Sequence, residues 1–360
     1  DLIPLLPLLI TTLTVVLVMS AIAIKRIYVI AYSITTLGLI IAACISFYLM
    51  PSAEHQITPL LIVDSYSLFF TAVVCLTAAS ICVLSFPYFI DLQDSKEEYF
   101  LLLGIATIGS IVLVSSNHFV SMIIGIETLS MSLYGMVAYP VQNGRSAALA
   151  LEAAVKYLVL SAAASGFMLF GMALIYAQTG TLEFSSVTSS ISASGVGEKF
   201  STTALILLFA GLAFKLSLAP FHIWTPDVYE GSPLPATIYL ATIGKAVTFI
   251  VLLRIIVSTG TLSLEPVNQA IALVAVASII LGNLLALFQE NIKRILSYSS
   301  IAHMGYLLIA LIASIDSNNT LSVETITMYL VAYIVMSLGA FGVASVLSSS
   351  DTELDNIEDY

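Results

Sequence analysis

Charge is what this sequence has least of. Only 9% of its 360 residues are Asp, Glu, Lys or Arg, against 59% hydrophobic, and the mean hydropathy is +1.05. A water-soluble domain carries about 25% charged residues, so a soluble globular enzyme is excluded. Cysteine is scarce as well. Cys44, Cys75 and Cys82 all fall inside apolar segments. No spacing among them makes a metal site or a disulfide framework, and they read as small packing residues. There are no paired histidines at haem-ligand positions and no phosphate-binding loop, so no redox or nucleotide chemistry is visible on this chain. The first helix lacks a basic n-region, so there is no cleavable signal pattern. The net charge of −11 points to no partner, because most of the acids lie in loops and in the tail DTELDNIEDY. Nucleic acid is not expected to bind.

What is present is apolar sequence. Runs longer than the roughly 18 residues that cross a bilayer as a helix recur along the chain. Their periodicity is weak, as in helices apolar all round. They predict an all-α, polytopic transmembrane helix bundle of about eleven spans, over residues 4–24, 28–50, 64–90, 97–115, 117–139, 145–178, 201–220, 234–258, 267–288, 291–314 and 322–348. Pro51 follows the second span, Asn117 and Asn291 stand where caps belong, and Pro140 and Gly144 separate the fifth span from the sixth. The sixth is too long for a plain crossing and is expected to tilt or to run past the interface. The positions of Lys and Arg set the orientation. With the N-terminus outside, the inner loops hold Lys25, Arg26, Lys96, Arg145, Lys293 and Arg294, and the outer loops hold Lys199 alone. The long outer loop 179–200 is rich in Ser and Gly and reads as a short hairpin or a flexible connector.

Against this background the ionisable residues inside the spans stand out. The stretch 211–235, GLAFKLSLAPFHIWTPDVYEGSPLP, begins as an apolar helix with Lys215 well inside it. It is expected to break at Pro220, because proline removes a backbone donor and clashes with the preceding turn. His222, Trp224 (the only tryptophan) and Asp227 follow. Glu127 lies near the middle of the fifth span, in MIIGIETLSMSLYGM. Lys245 is central in the eighth, in LATIGKAVTF, and Lys156 lies in the sixth, in EAAVKYLVLS. A charge at mid-membrane costs about 2.5–3.5 kcal/mol on insertion scales, and such groups face the bundle interior or water and pair. Low dielectric favours the neutral form of an amine, and a nearby carboxylate opposes that. Moving the carboxylate would switch a lysine between holding and releasing a proton, which is what a proton pump requires.

Blander readings stand beside these. Glu127 with Lys215, and Lys245, are also compatible with purely structural buried ion pairs. Lys156 is placed to snorkel to the inner face or to pair with Glu152 at i, i+4. Arg254 reads as snorkelling at the outer end of the eighth span. His222 is a capped loop histidine or a proton carrier at the break. His303 is a lone core histidine, or part of a hydrated path with the polar run 297–300 beside it. Broken membrane helices are tolerated only where protein or water satisfies the freed backbone groups, and transporters use such breaks near ion sites. Asp227 and Glu230 lie just beyond, on the inner side, as entry groups or as solvated loop residues.

The run KLSLAPFHIWTPDVYEGSPLPATIYLATIGKAV, together with YLVLSAAASGFMLFGMALIYAQTG and NIKRILSYSSIAHMGYLLIAL, resembles the antiporter-like proton-channel subunits of respiratory complex I. The likeness covers essentially the whole chain. It is greatest to the N-type subunit of bacterial NADH-quinone oxidoreductase, the counterpart of mitochondrial subunit two. The related L and M subunits and the multisubunit sodium/proton antiporters typically read HTWLPDA at the break, with a histidine-rich segment after it. This chain reads HIWTPDVYEGSP and carries Lys245 in the following span.

The resemblance implies an antiporter-like fold of fourteen helices with two inverted five-helix repeats, each containing a broken helix. Residues 4–115 would then be N-terminal spans, 97–258 the first repeat unit and 267–348 the start of a second. The second broken helix and its lysine are expected beyond Tyr360, making this a C-terminally truncated piece of a longer protein. The resemblance places the family's fifth-helix glutamate on Glu127, its seventh-helix lysine on Lys215 and its eighth-helix lysine on Lys245. His222 matches the histidine after the break, and Lys156 and His303 match positions along a hydrophilic axis.

The expected function is a proton-translocating, non-redox membrane subunit of NADH:quinone oxidoreductase, in the bacterial inner membrane. It would bind no cofactor or metal. NADH, flavin, iron–sulfur clusters and quinone belong to other subunits, and M- and K-type subunits would be its neighbours in the lipid bilayer. The alternatives are a subunit of a multisubunit cation/proton antiporter with no redox partner, and a scaffold bundle that conducts nothing.

Overall fold

The computed structural model describes residues 2–52, 54–90, 92, 96–139, 145–187, 198–259, 264–313, 319–348 and 354–359. Twelve helices carry the architecture among them. They are α1 (Leu6–Ile24), α2 (Tyr28–Leu49), α3 (Ser65–Tyr88), α4 (Glu98–Val114), α5 (Phe119–Val137), α6 (Arg145–Thr179), α7 (Glu198–Lys215), α8 (Trp224–Gly231), α9 (Leu234–Thr259), α10 (Glu265–Ala286), α11 (Ile292–Ala313) and α12 (Asn319–Leu347). A short antiparallel hairpin, β1 (Glu54–Gln56) with β2 (Ile62–Asp64), precedes α3. Among the described residues nine helices are long and apolar enough to cross a membrane, and α4 and α7 are shorter apolar helices. Together they account for the eleven expected spans. Of the loop 179–200, residues 188–197 lie outside the described residues. Its first part is no free connector, because Phe119 N–H donates to Leu182 O at 2.9 Å and Phe184 N–H to Asn117 O at 3.1 Å, which ties the loop to the start of α5.

Local chemistry sets the helix starts. Asp64 caps α3 reciprocally: its carboxylate accepts Ser67 N–H at 2.7 Å, and Ser67 Oγ accepts Asp64 N–H at 2.9 Å, a capping box built on serine. His118 Nδ1 accepts Val120 N–H at 3.1 Å to open α5. Small residues set the crossings. A Cβ on Gly109 would lie 2.7 Å from Leu129 N, and one on Gly125 would lie 3.1 Å from Gly109 O. Helices α4 and α5 therefore touch backbone to backbone, the close approach that glycine permits between membrane helices. This contact fixes the face of α5 that carries Glu127 and Ser130.

Helix α9 is the centre of the bundle. Within its most apolar window 89% is buried, against 22% for the first span and 28% for α10. It contains one π-turn, Leu240–Gly244. A π-turn disturbs the regular i→i−4 ladder, and Tyr333 of α12 donates its hydroxyl to Ala241 O at 2.7 Å there. Tyr239 OH lies 3.2 Å from both Thr107 and Ser110 of α4. Lys245 begins the next turn.

Candidate functional site

The break comes earlier than proline chemistry predicts. Helix α7 ends at Lys215, so the lysine is the last helical residue and is not well inside the helix. The termination is a Schellman arrangement: Ser217 N–H donates to Phe214 O at 2.9 Å and Leu218 N–H to Ala213 O at 2.8 Å. Ser217 occupies the left-handed position with φ 59°, where glycine is the usual residue. Pro220 sits in the turn that follows, after a cis peptide to Ala219, and α8 restarts at Trp224. Ala219 N–H, one of the freed donors, reaches Ser278 Oγ of α10 at 2.9 Å. Trp224 is the anchor. It stacks between Tyr157 (centroids 4.8 Å apart) and Phe214 (5.1 Å), and its indole N–H donates to Phe214 O at 3.2 Å.

Lys215 is buried, and its ammonium points between α5 and α6. Nζ donates to Ser130 Oγ at 2.6 Å and to Ser161 Oγ at 2.5 Å. Ser161 Oγ also accepts Tyr134 O–H at 2.6 Å. Glu127 sits one turn before Ser130 on α5 and accepts Ser165 O–H at 2.5 Å. The expected Glu127–Lys215 ion pair is therefore not formed. Among the described residues no carboxylate oxygen lies within 4.0 Å of Lys215 Nζ or of Lys245 Nζ. The reason is geometric. Serines on α5 and α6 stand at the level of the lysine, and the glutamate stands a turn away.

Lys245 is 1% exposed. Its ammonium donates to Ser300 Oγ of α11 at 2.5 Å and lies over the Tyr229 ring, 5.6 Å from the centroid. Between the two lysines is a cavity of about 20 Å³, counted as space open to the centre of a water molecule, whose walls include Ser130, Tyr157, Lys215, Trp224, Lys245 and Thr248. That is room for one water. Lys245 also leads towards His303, because Ser300 and His303 are one turn apart on α11. His303 Nδ1 is 2.6 Å from Tyr329 OH, and its ring packs against Tyr306, Tyr329 and Tyr333.

The remaining candidates lie apart from this core. His222 is mostly buried in the break, and its Nδ1 has no hydrogen-bond partner among the described residues. Lys156 is partly exposed and pairs with Glu152 at 2.8 Å and with Asp227 at 3.0 Å. It belongs to a charged cluster at the helix ends that carry the basic loops. In that cluster Arg294 reaches Asp227 at 3.0 Å and Glu230 at 2.7 Å, so Asp227 and Glu230 are paired, partly exposed residues of α8 and not loop groups. Burial opposes ionisation of Asp227, but hydrogen bonds from Lys156 and Arg294 outweigh it and hold its carboxyl below the ordinary carboxylate value. Lys293, expected in a loop, is buried and donates to Ser232 O at 3.1 Å and Glu230 O at 3.3 Å. Arg254 does not snorkel. It reaches back to Asp64, the α3 cap, at 2.6 Å and lies against the Tyr66 ring.

The sequence therefore pointed to the charges and missed the hydroxyls that hold them: Ser130, Ser161, Ser165, Tyr134 and Tyr329. Only Ser300, in the polar run 297–300, carried a visible signal. Among the described residues no group of three or more His, Cys, Asp or Glu side chains is placed to hold a metal ion.

Residues 116–360 match the family described as NADH:quinone oxidoreductase/Mrp antiporter, TM. Among solved structures, a chain of respiratory complex I from Thermus thermophilus with bound aureothin is 33% identical. The match covers 94% of this chain and 70% of that one, with a TM-score of 0.78. A chain of the membrane-bound sulfane sulfur reductase, an archaeal respiratory membrane complex, is 20% identical over 96% of this chain and 71% of its own, with a TM-score of 0.81. At that identity the second likeness shows the fold alone.

Proposed function

The chain belongs to the NADH:quinone oxidoreductase/Mrp antiporter transmembrane family, and on that premise we propose that it is a proton-translocating membrane subunit of an NADH:quinone oxidoreductase, of the N type. The observation that carries this reading is the pair of buried amines, Lys215 and Lys245, facing one water-sized cavity. Among the described residues neither is fixed by a carboxylate. An amine in such a place exchanges a proton without breaking an ion pair, and a single water in the cavity would connect the two. Glu127 serves as the acid beside Lys215, and Ser300 leads from Lys245 towards His303. Lys156 and the charged cluster around Asp227 stand at the inner mouth, with the N-terminus on the outer side of a bacterial inner membrane. His222, in the break between them, is the further proton carrier.

On this reading the chain carries no redox group. NADH, flavin, iron–sulfur clusters and quinone act on other subunits, and M- and K-type membrane subunits flank it. The HIWTPDVYEGSP wording and the 33% identity to a complex I chain favour complex I over an antiporter without a redox partner. The test is to replace Lys215 or Glu127 with alanine in the full-length protein and to measure proton pumping by the assembled enzyme. Pumping is expected to be lost, and unchanged pumping removes these residues from the mechanism. Co-purification of flavin and iron–sulfur proteins with the native complex is the expected result for complex I and excludes the stand-alone antiporter.

A further inference from the structure

Two adjacent rungs join α5 to α6. One is Glu127 to Ser165. The other is Lys215 held between Ser130 and Ser161, with Tyr134 on the far side of Ser161. The rungs are one turn apart on both helices: Glu127 and Ser130 are three residues apart, and Ser161 and Ser165 four. From this we infer that Ser161, with Ser130, is the positioning pair that keeps Lys215 partnered in both of its protonation states. The inference rests on the relay proposed above and assigns it two residues beyond its charged groups.

The chemistry follows from what each group can donate and accept. An ammonium has three donors and no acceptor, and an ionised carboxylate only accepts. A glutamate partner therefore suits the charged lysine and opposes its loss of a proton. A serine hydroxyl has one donor and two lone pairs. While Lys215 is charged, Ser130 and Ser161 accept its N–H groups. When one N–H bond breaks and the proton leaves for water in the adjoining cavity, the nitrogen gains a lone pair. Ser161 can then turn its own O–H towards that lone pair. Its oxygen still accepts the Tyr134 hydroxyl, so only a hydrogen has moved. No serine O–H bond breaks, and the heavy atoms stay at their 2.5 and 2.6 Å separations. Both serines are buried, Ser161 at 0% and Ser130 at 2% exposure, so bulk water does not substitute for them.

The experiment uses the assembled parent complex in sealed vesicles. Redox-driven proton uptake is measured across pH for the parent and for Ser161→Ala, Ser161→Thr, Ser130→Ala and Lys215→Ala. Hydrogen bonds to a charged donor are stronger than those to its neutral form. Removing one hydroxyl should therefore move the alkaline limb of the pH–rate profile down by about one pH unit, and Ser161→Thr, which keeps the hydroxyl, should restore it. Ser130→Ala gives the same reading should Ser161→Ala fail to assemble. A merely structural role lowers the rate equally at every pH. That result, or unchanged profiles in both alanine variants beside a dead Lys215→Ala, overturns the serine assignment and leaves the relay standing. A Lys215→Ala complex that pumps like the parent overturns the relay, and this inference with it.

Discussion

Trp224 carries the break, and its removal should loosen the whole bundle. The side chain is 3% exposed. It is stacked on Tyr157 with an interplanar angle of 17° and on Phe214 with 25°, and its N–H holds the Phe214 carbonyl at 3.2 Å. That carbonyl also accepts Ser217 N–H, so one indole ties the end of α7, the start of α8 and the middle of α6 together. Each aromatic pair contributes about 0.5–1.5 kcal/mol beyond its area, the hydrogen bond about 0.5–1.5 kcal/mol, and an aromatic-to-alanine change in a packed interior costs about 3–5 kcal/mol in all. Trp224→Ala should therefore cost about 3 kcal/mol at the low end of that range, and Trp224→Phe, which keeps a ring between its neighbours, about 1.4 kcal/mol from the lost hydrogen bond and smaller ring. The cysteines supply the assay. Cys75 and Cys82 in α3 are 0% exposed, while Cys44 is exposed. With a thiol reagent in detergent, Cys44 labels first and the other two report opening. Labelling tracks the opening equilibrium when reclosing is fast. At about 1.4 kcal/mol per tenfold, the alanine variant should label roughly a hundredfold faster than the parent and the phenylalanine variant roughly tenfold. Parent-like labelling of Trp224→Ala, or equal rates for the two variants, would refute the role of the stack.

Two further outcomes follow from contacts elsewhere. Gly109→Ala puts a methyl group 2.7 Å from Leu129 N and should cost about 1–3 kcal/mol by overpacking, read as roughly fivefold to a hundredfold faster labelling of Cys75 and Cys82, whereas Gly166→Ala, with no described atom within 4 Å, should label no faster than the parent. The Asp227 cluster gives a pH test. Because the folded-state carboxyl lies below its ordinary value, its stabilisation is complete above about pH 4 and is lost as pH falls through the depressed folded value. Asp227 is partly exposed, so the effect is discounted for solvent screening. Parent and Asp227→Asn should differ in thermal unfolding midpoint at pH 7 and converge in strong acid, and a constant difference across the range would exclude this carboxyl as the cause.

The spans were legible because length and hydropathy decide them. A run too apolar for water has few other fates, and the shorter α4 and α7 still read as apolar helices. The buried lysines were legible for the converse reason, since charges inside apolar runs are costly. Their partners were not. Serine and threonine in these helices commonly donate back to the carbonyl four residues before, as Thr107, Ser110 and Ser278 do. A serine in sequence thus gives no sign of whether it serves its own helix or a lysine from another. The true end of α7 was hidden because Ser217 stands where glycine would have marked it. Arg254 read as snorkelling because its partner, Asp64, lies 190 residues away in the chain.

The distribution of partners carries a mechanistic argument. At the helix ends charge meets charge: Lys156 and Arg294 with Asp227, Arg294 with Glu230, and Arg254 with Asp64. In the interior, charged groups meet hydroxyls: Glu127 with Ser165, Lys215 with Ser130 and Ser161, and Lys245 with Ser300. An opposite charge within a few ångströms fixes a group in its ionised form, and the more so where solvent is excluded. A lysine locked that way in the middle of the bundle would hold its proton against any modest change in its surroundings. A hydroxyl partner serves the group in either form and favours the charged one far less than a carboxylate does. The end pairs suit clamps, joining α6 to α8 and α11 on one side and α3 to α9 on the other. On the proposed relay the interior groups suit exchange, and the energy that moves protons would have only to alter the approach of Glu127, one turn from the serines that hold Lys215, without first breaking a buried ion pair. On this account, moving the fixed pairing inward should stop transport: Ser130→Asp would hold Lys215 charged and cost the protein its pumping while leaving it assembled, and pumping by that variant at the parent's rate would show that a neutral partner is not required.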